Sequence, residues 1–379
     1  MSSSCVSDPV SAERAVTLSS ATAARSDKDQ SYVGIYLFSN PSLLLINPDC
    51  IRTVLVKEFE AFSQRNINFD ETDPLNHNLV SANGPKWNKL RTKLTPSFTT
   101  GKLKMMSQEP AKKGQILEVR EIAARFITNI ASVFFGVDCN AQRNPDTEFR
   151  QWGRQMFERS QIKDFRSHVQ IFPAAAKTLR IRSGIVHVTR YFRNMVKETI
   201  EFREQHGVVR NDLLHLMMQL KNKRFIDEQS KTGSQEIDNW KTLRKHPPAG
   251  LLDRRCVRDV NLPDGGPLIE KGTPVFIPIY ALHHDPEYYP EPHRFDPERF
   301  SEEQKAARHP YVYIPFGDGP RICIGMRLGL LQSKIGLAYM MSKYEVHRCE
   351  ETSVPLQYNP WALVLESVTG IKLKLTQRN

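Results

Sequence analysis

Phe316-Gly317-Asp318-Gly319-Pro320-Arg321-Ile322-Cys323-Ile324-Gly325 is the run on which the reading of this chain turns. Its three glycines permit a tight turn and a close approach of backbone to something flat or bulky. Behind it, Gly325 to Lys343 places Leu328, Leu331, Ile335, Leu337, Ala338 and Met341 on one broad apolar face, which predicts a helix. Cys323 therefore stands just ahead of a helix N-terminus. That dipole, with Arg321 nearby, stabilises a thiolate, and backbone N–H groups there can donate to the sulfur. The bland alternative is a buried structural cysteine at a glycine-rich helix entry. Phe, Gly, Arg and Cys at fixed offsets favour a metal-ligating thiolate instead.

Around that run lie 379 residues, 40% hydrophobic and 25% charged. Such a chain can build one large core or two ordinary domains and is too apolar for wholesale disorder. A net charge of +11 favours anionic partners: an acidic protein, an anionic membrane surface or nucleic acid. The basic residues are dispersed and no nucleic-acid module accompanies them, so nucleic acid is not expected as a partner. Cys5, Cys50, Cys139, Cys256, Cys323 and Cys349 form no Cys-x-x-Cys pair and no disulfide framework. Reduced thiols facing a cytosol are the simpler reading. No stretch reaches the roughly 20 apolar residues of a membrane helix. Residues 1–30, rich in Ser and Ala, read as a disordered or non-matching leader.

From residue 31 the pattern predicts an α+β chain, mainly helical with small sheets. Tyr32–Phe38 and Ser42–Ile46 read as a hairpin turning at Asn40-Pro41. Asn47-Pro48-Asp49 opens a helix over Cys50–Lys57. Further helices are expected over Gly84–Leu103, closed by Pro96, and over Ile116–Val137, Asp146–Arg159, Ile185–Gln205 and Asp212–Leu220. Arg224–Trp240 is polar, contains Gly233 and has no apolar stripe, so it reads as a join. Lys241–Lys245 looks like a helix end, and Gly250–Ile279 like short strands. His283–Phe300 reads as an irregular meander, and Val364–Leu375 as a last hairpin. His283 and His284 are adjacent on an expected loop, where a satisfied or surface histidine is the better reading than a metal ligand.

The Cys323 run resembles the haem-binding signature of the cytochrome P-450 superfamily, Phe-Gly-x-Gly-x-Arg-x-Cys-x-Gly, at every fixed position. Trp87-Asn-Lys-Leu-Arg91 is similar to the family's Trp-x-x-x-Arg helix, and Phe295-Asp-Pro-Glu-Arg299-Phe300 to its Pro-Glu-Arg-Phe meander. Gly34–Arg65 and Leu94–Met106 resemble insect detoxification members of the microsomal class. The resemblance spans residues 31–379. It implies a helical body with attached β-structure holding haem b, with Cys323 as the axial thiolate ligand and Phe316 packed beside the sulfur. A thiolate behind haem iron favours O–O cleavage. Trp87, Arg91, Arg254 and Arg321 are similar to the family's haem-propionate contacts, a role suited to the planar fork of arginine. Core packing is the alternative for Trp87. For Arg254, with Arg255 and Arg258 close by, the alternative is a solvated surface residue.

Three departures from the family stand out. The N-terminal membrane helix and its Pro-rich hinge are absent. No segment resembles the long central helix with its Ala/Gly-Gly-x-Asp/Glu-Thr core, whose acid–alcohol pair helps deliver protons in the family, so no catalytic side chain is assigned. The family's Glu-x-x-Arg reads Lys241-Thr242-Leu243-Arg244, which puts a lysine beside Arg244 and Arg299. Removing one partner of a buried pair costs about 3–5 kcal/mol. The total stability of a domain is about 5–15 kcal/mol. All of these defects after Gln219 fit one internal deletion near 224–241.

By resemblance the chain is a monooxygenase inserting one atom of O2 into a hydrophobic small molecule, xenobiotic or endogenous. Electrons would come from NADPH through a cytochrome reductase, with cytochrome b5 as a second donor. It would work at the cytosolic face of the endoplasmic reticulum membrane, with a cytosolic pool as the other site. Phe69–Asn83, Ala249–Leu252 and Asn359–Leu363 would line the pocket. The alternative is a catalytically impaired remnant of such an enzyme, binding haem weakly or serving only in protein contacts.

Overall fold

The computed structural model describes residues 31–37, 40–66, 77–95, 147–157, 186–210, 212–222, 240–263, 266–359 and 364–378, with short pieces at 74, 116–118, 128 and 135–136. The expected leader and the polar join at 224–239 lie outside the described residues. So do the expected helix stop at Pro96 and most of the helix expected over Ile116–Val137. The elements begin with β1 (Tyr32–Leu37), β2 (Asn40–Leu45) and α1 (Pro48–Arg52), which runs into a π-helical turn at Thr53–Lys57. Then come α2 (Gly84–Leu94), β3 (Ile116–Glu118), α3 (Glu148–Phe157), α4 (Val186–His206), α5 (Leu213–Asn222) and α6 (Trp240–Lys245). Short strands follow at β4 (Leu252–Arg255), β5 (Val260–Asn261), β6 (Leu268–Ile269) and β7 (Pro274–Ile277). The chain continues through α7 (Ile279–His283), α8 (Glu302–Ala306), α9 (Met326–Lys343), β8 (Tyr344–His347) and β9 (Lys372–Gln377). The mixture of helices with small sheets is the α+β class that the sequence predicts.

The chain divides into two compact units. The first comprises Met1–Ile67, Glu236–Met326 and Leu356–Val368. Its sheet has the order β1-β2-β7-β4, with β2 and β7 parallel and the other neighbours antiparallel. Apolar side chains of this sheet and of α1 meet in one core that includes Leu45, Ile51, Val54, Leu55, Phe62, Val275, Ile277 and Ile279, all fully buried. Each such side chain is worth about 1.5–3 kcal/mol of burial. Asn47 caps α1 as expected: its side-chain oxygen accepts from the Asp49 and Cys50 amides at 2.8 and 3.3 Å. The expected turn at Asn40-Pro41 is corrected. Both residues belong to β2, opposite Leu37 and Tyr36. Proline is tolerated there because β7 pairs only further along, at Leu43 and Leu44.

The second unit comprises Asn68–Gln235, Arg327–Pro355 and Thr369–Asn379. Its helices α3 and α4 join through aromatic rings: Trp152 stacks on Tyr191 at 5.5 Å, and Phe149 meets Phe192 edge-on. A buried bidentate pair, Arg203 with Asp212, ties the end of α4 to the start of α5, where Asp212 also accepts from the His215 amide. Two expectations change here. Ile116–Glu118 is a strand, where helical spacing predicted a helix, because pairing with β9 overrides local propensity. The last strand, β9, pairs with β8 rather than closing a hairpin within Val364–Leu375. The helix α9 forms within one residue of the predicted start. None of its side chains is buried, and Leu337 stays 52% exposed.

Candidate functional site

The first unit holds the Cys323 loop on three supports. The first is the backbone of the turn after α1. Gly319 has φ +70°, and a Cβ there would stand 2.1 Å from the Leu55 carbonyl oxygen. The expected close approach is therefore to the chain itself, and only glycine fits it. The second is β4: Gly317, with φ +72°, leaves room for Leu252. The third is the loop's own hydrogen bonds. Asp318 accepts from the Gly319 amide at 2.7 Å, the Ile322 amide donates to Gly319, and the Cys323 amide donates to the Phe316 carbonyl at 3.0 Å. Phe316 thus helps fix the cysteine through its backbone. The Met326 amide donates to the Cys323 carbonyl at 3.3 Å where α9 begins, and Cys323 itself is exposed.

Beside this loop sits a cluster of arginines. Arg254 lies on β4, where the alternation Leu252 in, Asp253 half out, Arg254 in puts its whole side chain inside, 1% exposed. It is not the solvated residue that its basic neighbours suggested. One of its guanidinium nitrogens donates to the Asp253 carbonyl at 2.7 Å, and its Nε has no hydrogen-bond partner. Burial, and then the positive charge of Arg65, push its pKa down to about 9, with Arg321 adding to the effect. Arg321, on the 3-10 turn Gly319–Arg321, is also buried. Such a group of cations asks for an anion. The carboxylate of Asp253 supplies part of that charge: it accepts from Arg65 at 3.2 Å and from the Asn66 amide. Arg65 and Asp253 were not singled out from the sequence. The acidic residue next to Arg254 was the one available signal.

A second cluster supports the loop from behind. His283 is completely buried at the end of α7. Its Nε2 accepts the Ile314 amide, so its Nδ1 carries the proton and donates to the Arg244 carbonyl; both contacts are 3.2 Å. The ring stacks on Tyr313 at 5.1 Å. Burial, followed by the neighbouring His284, pushes its pKa down to about 3. It is thus a satisfied histidine, on a helix rather than a loop. It joins α6 to the segment that enters the cysteine loop. Arg244, 2% exposed, donates to the carbonyls of His283 and Pro292 at 2.8 and 2.7 Å and lies against the Tyr289 ring. After burial, the charge of Arg299 is the largest cause lowering its pKa, and Arg308 adds to it. The structure therefore brings Arg244, Arg299 and Arg308 together, with Lys241 one turn before Arg244 on α6.

Arg254, Phe316, Arg321 and Cys323 all belong to the first unit. Trp87 and Arg91 belong to the second. They stand four residues apart on α2, hence on one face, with Trp87 buried and Arg91 half-buried. Of the expected pocket segments, residues 69–73, 75–76 and 360–363 lie outside the described residues. Among the described residues no group of three or more His, Cys, Asp or Glu could hold a metal ion.

The cytochrome P450 family model matches residues 15–239 and 240–375. The match starts within the expected leader and divides at the end of the polar join. Cytochrome P-450 6k1 of Blattella germanica is 33% identical over 439 aligned positions, covering 90% of this chain and 84% of the relative. Cytochrome P-450 6a2 of Drosophila melanogaster is 32% identical over 91% of this chain and 86% of its own length. Cytochrome P-450 6j1, also of Blattella germanica, is 32% identical, covering 93% and 85%. Each alignment is longer than this 379-residue chain, so the relatives carry internal sequence without a counterpart here.

Proposed function

The chain belongs to the cytochrome P-450 family, whose members are haem-dependent monooxygenases, and on that premise we propose that it inserts one oxygen atom from O2 into a hydrophobic small molecule. The observation that carries the proposal is the arrangement around the signature loop. Cys323 is exposed on a fixed turn, and the buried Arg254 beside that loop keeps an Nε without a partner. These residues fit a haem in donor chemistry: one soft thiolate donor for iron and buried guanidinium forks for carboxylates. Cys323 would ligate the iron, and Arg254 and Arg321 would hold propionate; for Trp87 and Arg91 the same role rests on the resemblance alone. Bound haem supplies the activation of O2.

The chain's own residues do the rest. Gly317 and Gly319 let the loop close against Leu252 and Leu55, which fixes where the sulfur stands. His283 couples that loop to α6. By resemblance, Ala249–Leu252 would lie along the substrate pocket. Electrons come from NADPH through a reductase, with cytochrome b5 as a second donor, at the cytosolic face of the endoplasmic reticulum membrane. The net charge of +11 suits both an acidic reductase surface and anionic lipid. Among the described residues no helix is long and apolar enough to cross a membrane.

A second reading, an impaired member of the family with an internal deletion near 224–241, has its own support. The family match breaks at 239/240, Lys241 precedes Arg244 of the arginine cluster by one turn, and apolar residues of α9 are uncovered. One experiment separates the two. The pure chain is supplied with haem, reduced and exposed to carbon monoxide. A red-shifted Soret band that disappears in Cys323→Ala supports the oxygenase reading; its absence in the unsubstituted chain favours the impaired one.

A further inference from the structure

An arginine keeps its charge at any ordinary pH, so a buried guanidinium needs negative charge close by or a full set of acceptors. Arg244, on α6, has acceptors: the carbonyls of His283, Pro292 and, at 3.4 Å, Arg294. None of them carries charge. Arg299, on the 3-10 turn Pro297–Phe300, has fewer. Its side chain is only 10% exposed. One terminal nitrogen donates to the Glu291 carbonyl at 3.0 Å, while its Nε is buried without a hydrogen-bond partner. Arg308 donates to the carbonyls of Arg299 and Gln304. Its guanidinium lies 4.6 Å from the centroid of the buried Tyr289 ring, and that of Arg244 lies 5.2 Å from the same ring. All three cations therefore bear on one segment, residues 289–299.

Negative charge does not match them. Among the described residues, the carboxylate within ion-pair distance of these guanidiniums is that of Asp296, 3.9 Å from the Arg299 Nε. That is longer than a hydrogen bond. Asp296 is half-exposed, and its other oxygen already accepts from the Glu298 amide at 3.0 Å. Glu291 turns its carboxylate to Arg294 at the surface. One turn before Arg244 stands Lys241, a further cation. Three guanidiniums thus share one distant, partly solvated carboxylate, and the Arg299 Nε stays unused.

We propose that Arg244, Arg299 and Arg308 form a binding site for a small carboxylate of the formate or acetate class, with Tyr289 as its wall. One carboxylate oxygen accepts from the Arg299 Nε, and the second faces the neighbouring guanidiniums, whose repulsion the bound charge relieves. The anion enters past Arg308 and Asp296, which are only half-buried. All of these residues lie in the first unit, and the proposal stands whether or not the chain is an oxygenase.

The test uses the full chain with sodium formate as the probe, exchanged for sodium chloride at constant ionic strength. A ligand as small as formate binds no tighter than about 1 mM, so the titration runs to about 100 mM. Formate should raise the urea midpoint saturably, with the folded-to-unfolded ratio about tenfold higher at the top of the titration. The rise should persist in Arg254→Met, which belongs to the other arginine group. It should be lost in Arg299→Gln and in Arg308→Gln; the half-buried position of Arg308 makes its variant the milder of the two. A second measurement needs no variant to fold. In the folded parent, magnetic saturation of the formate proton should pass to the ring protons of Tyr289. The site is overturned by the absence of a saturable rise, by a rise that survives in Arg308→Gln, or by one that vanishes in Arg254→Met. Saturation reaching other tyrosines but not Tyr289 overturns it as well.

Discussion

Replacing His283 with leucine removes the residue that ties α6 to the entrance of the cysteine loop. The parent ring satisfies the Arg244 carbonyl and the Ile314 amide and stacks on Tyr313. Leucine leaves two buried backbone groups unpartnered, each costing about 1–3 kcal/mol, and loses a ring contact worth about 0.5–1.5 kcal/mol. The expected loss is about 3–7 kcal/mol, enough to open this region in a domain of ordinary stability. The same residue carries a pH signature. Its folded pKa, about 3, lies below the unfolded value of 6.5. The unfolded state therefore binds more protons once pH drops below 6.5, and the stability due to neutral His283, complete above that pH, is lost on acidification until about 3. In that window His283 costs the folded state about 1.4 kcal/mol per pH unit. Urea unfolding by circular dichroism from about pH 7.5 to about 4.5, with hydrogen exchange of the Ile314 amide, measures both effects. Ile314 should exchange at least about a hundredfold faster in His283→Leu. The parent's stability should also fall more steeply with acid than the variant's. An Ile314 rate within about tenfold of the parent, or parallel pH profiles, would refute this account of the support.

Three further outcomes follow from the same geometry. Arg254→Met should leave the haem-free chain as stable or up to about 3 kcal/mol more stable, since it removes a buried charge lacking a full set of partners. Haem titration should show at least about tenfold weaker binding; a large loss of apo stability would instead make Arg254 a structural cation. Lys241→Glu should raise stability by about 1–3 kcal/mol by placing a carboxylate among Arg244, Arg299 and Arg308, and an unchanged urea midpoint would mean that position 241 does not face them. Gly319→Ala should cost about 2–4 kcal/mol, because a side chain at φ +70° meets the Leu55 carbonyl. The reaction rate of the Cys323 thiol with a disulfide reagent reports the displaced loop, and a rate equal to the parent's would contradict the tight approach.

Much of the cysteine loop was legible because its constraints are local. Glycines at positive φ and a helix start leave marks at fixed offsets, and Asn47 announces α1 in the same way. The partners of that loop were not legible. His283 and Ile314 are 31 residues apart, and Arg65 and Asp253 are 188 apart. Nothing near His283 in the chain signals that its ring will be sealed between α6 and Ile314. Arg254 was singled out by the resemblance and not by its local pattern, since strand alternation decides which of Arg254 and Arg255 points inward, and a four-residue strand is too short to declare its inner face. Ile116–Glu118 failed for the related reason that a three-residue strand exists only through its partner β9.

Among the described residues, those that support the cysteine loop come from α1 and its π-helical turn, β4, α7 and the end of α6, all within the first unit. The loop's shape is therefore specified by contacts that an internal deletion near 224–241 would leave in place. Such a deletion would remove the carboxylate expected beside Arg244; on α9, Ile335, Leu337 and Met341 are exposed. If the Cys323 loop and Arg254 hold a haem as proposed, haem capture and oxygen activation would depend on different parts of this chain. A thiolate and buried guanidiniums would then recruit an anionic metalloporphyrin through short-ranged, already organised interactions. Turnover also needs protons delivered on the substrate side and water kept out, and the described residues assign no side chain to that task. The carbon monoxide band together with product formation would support the oxygenase reading, and the band without product would favour the impaired one. Product formation at an ordinary rate would place a proton-delivering group outside the described residues.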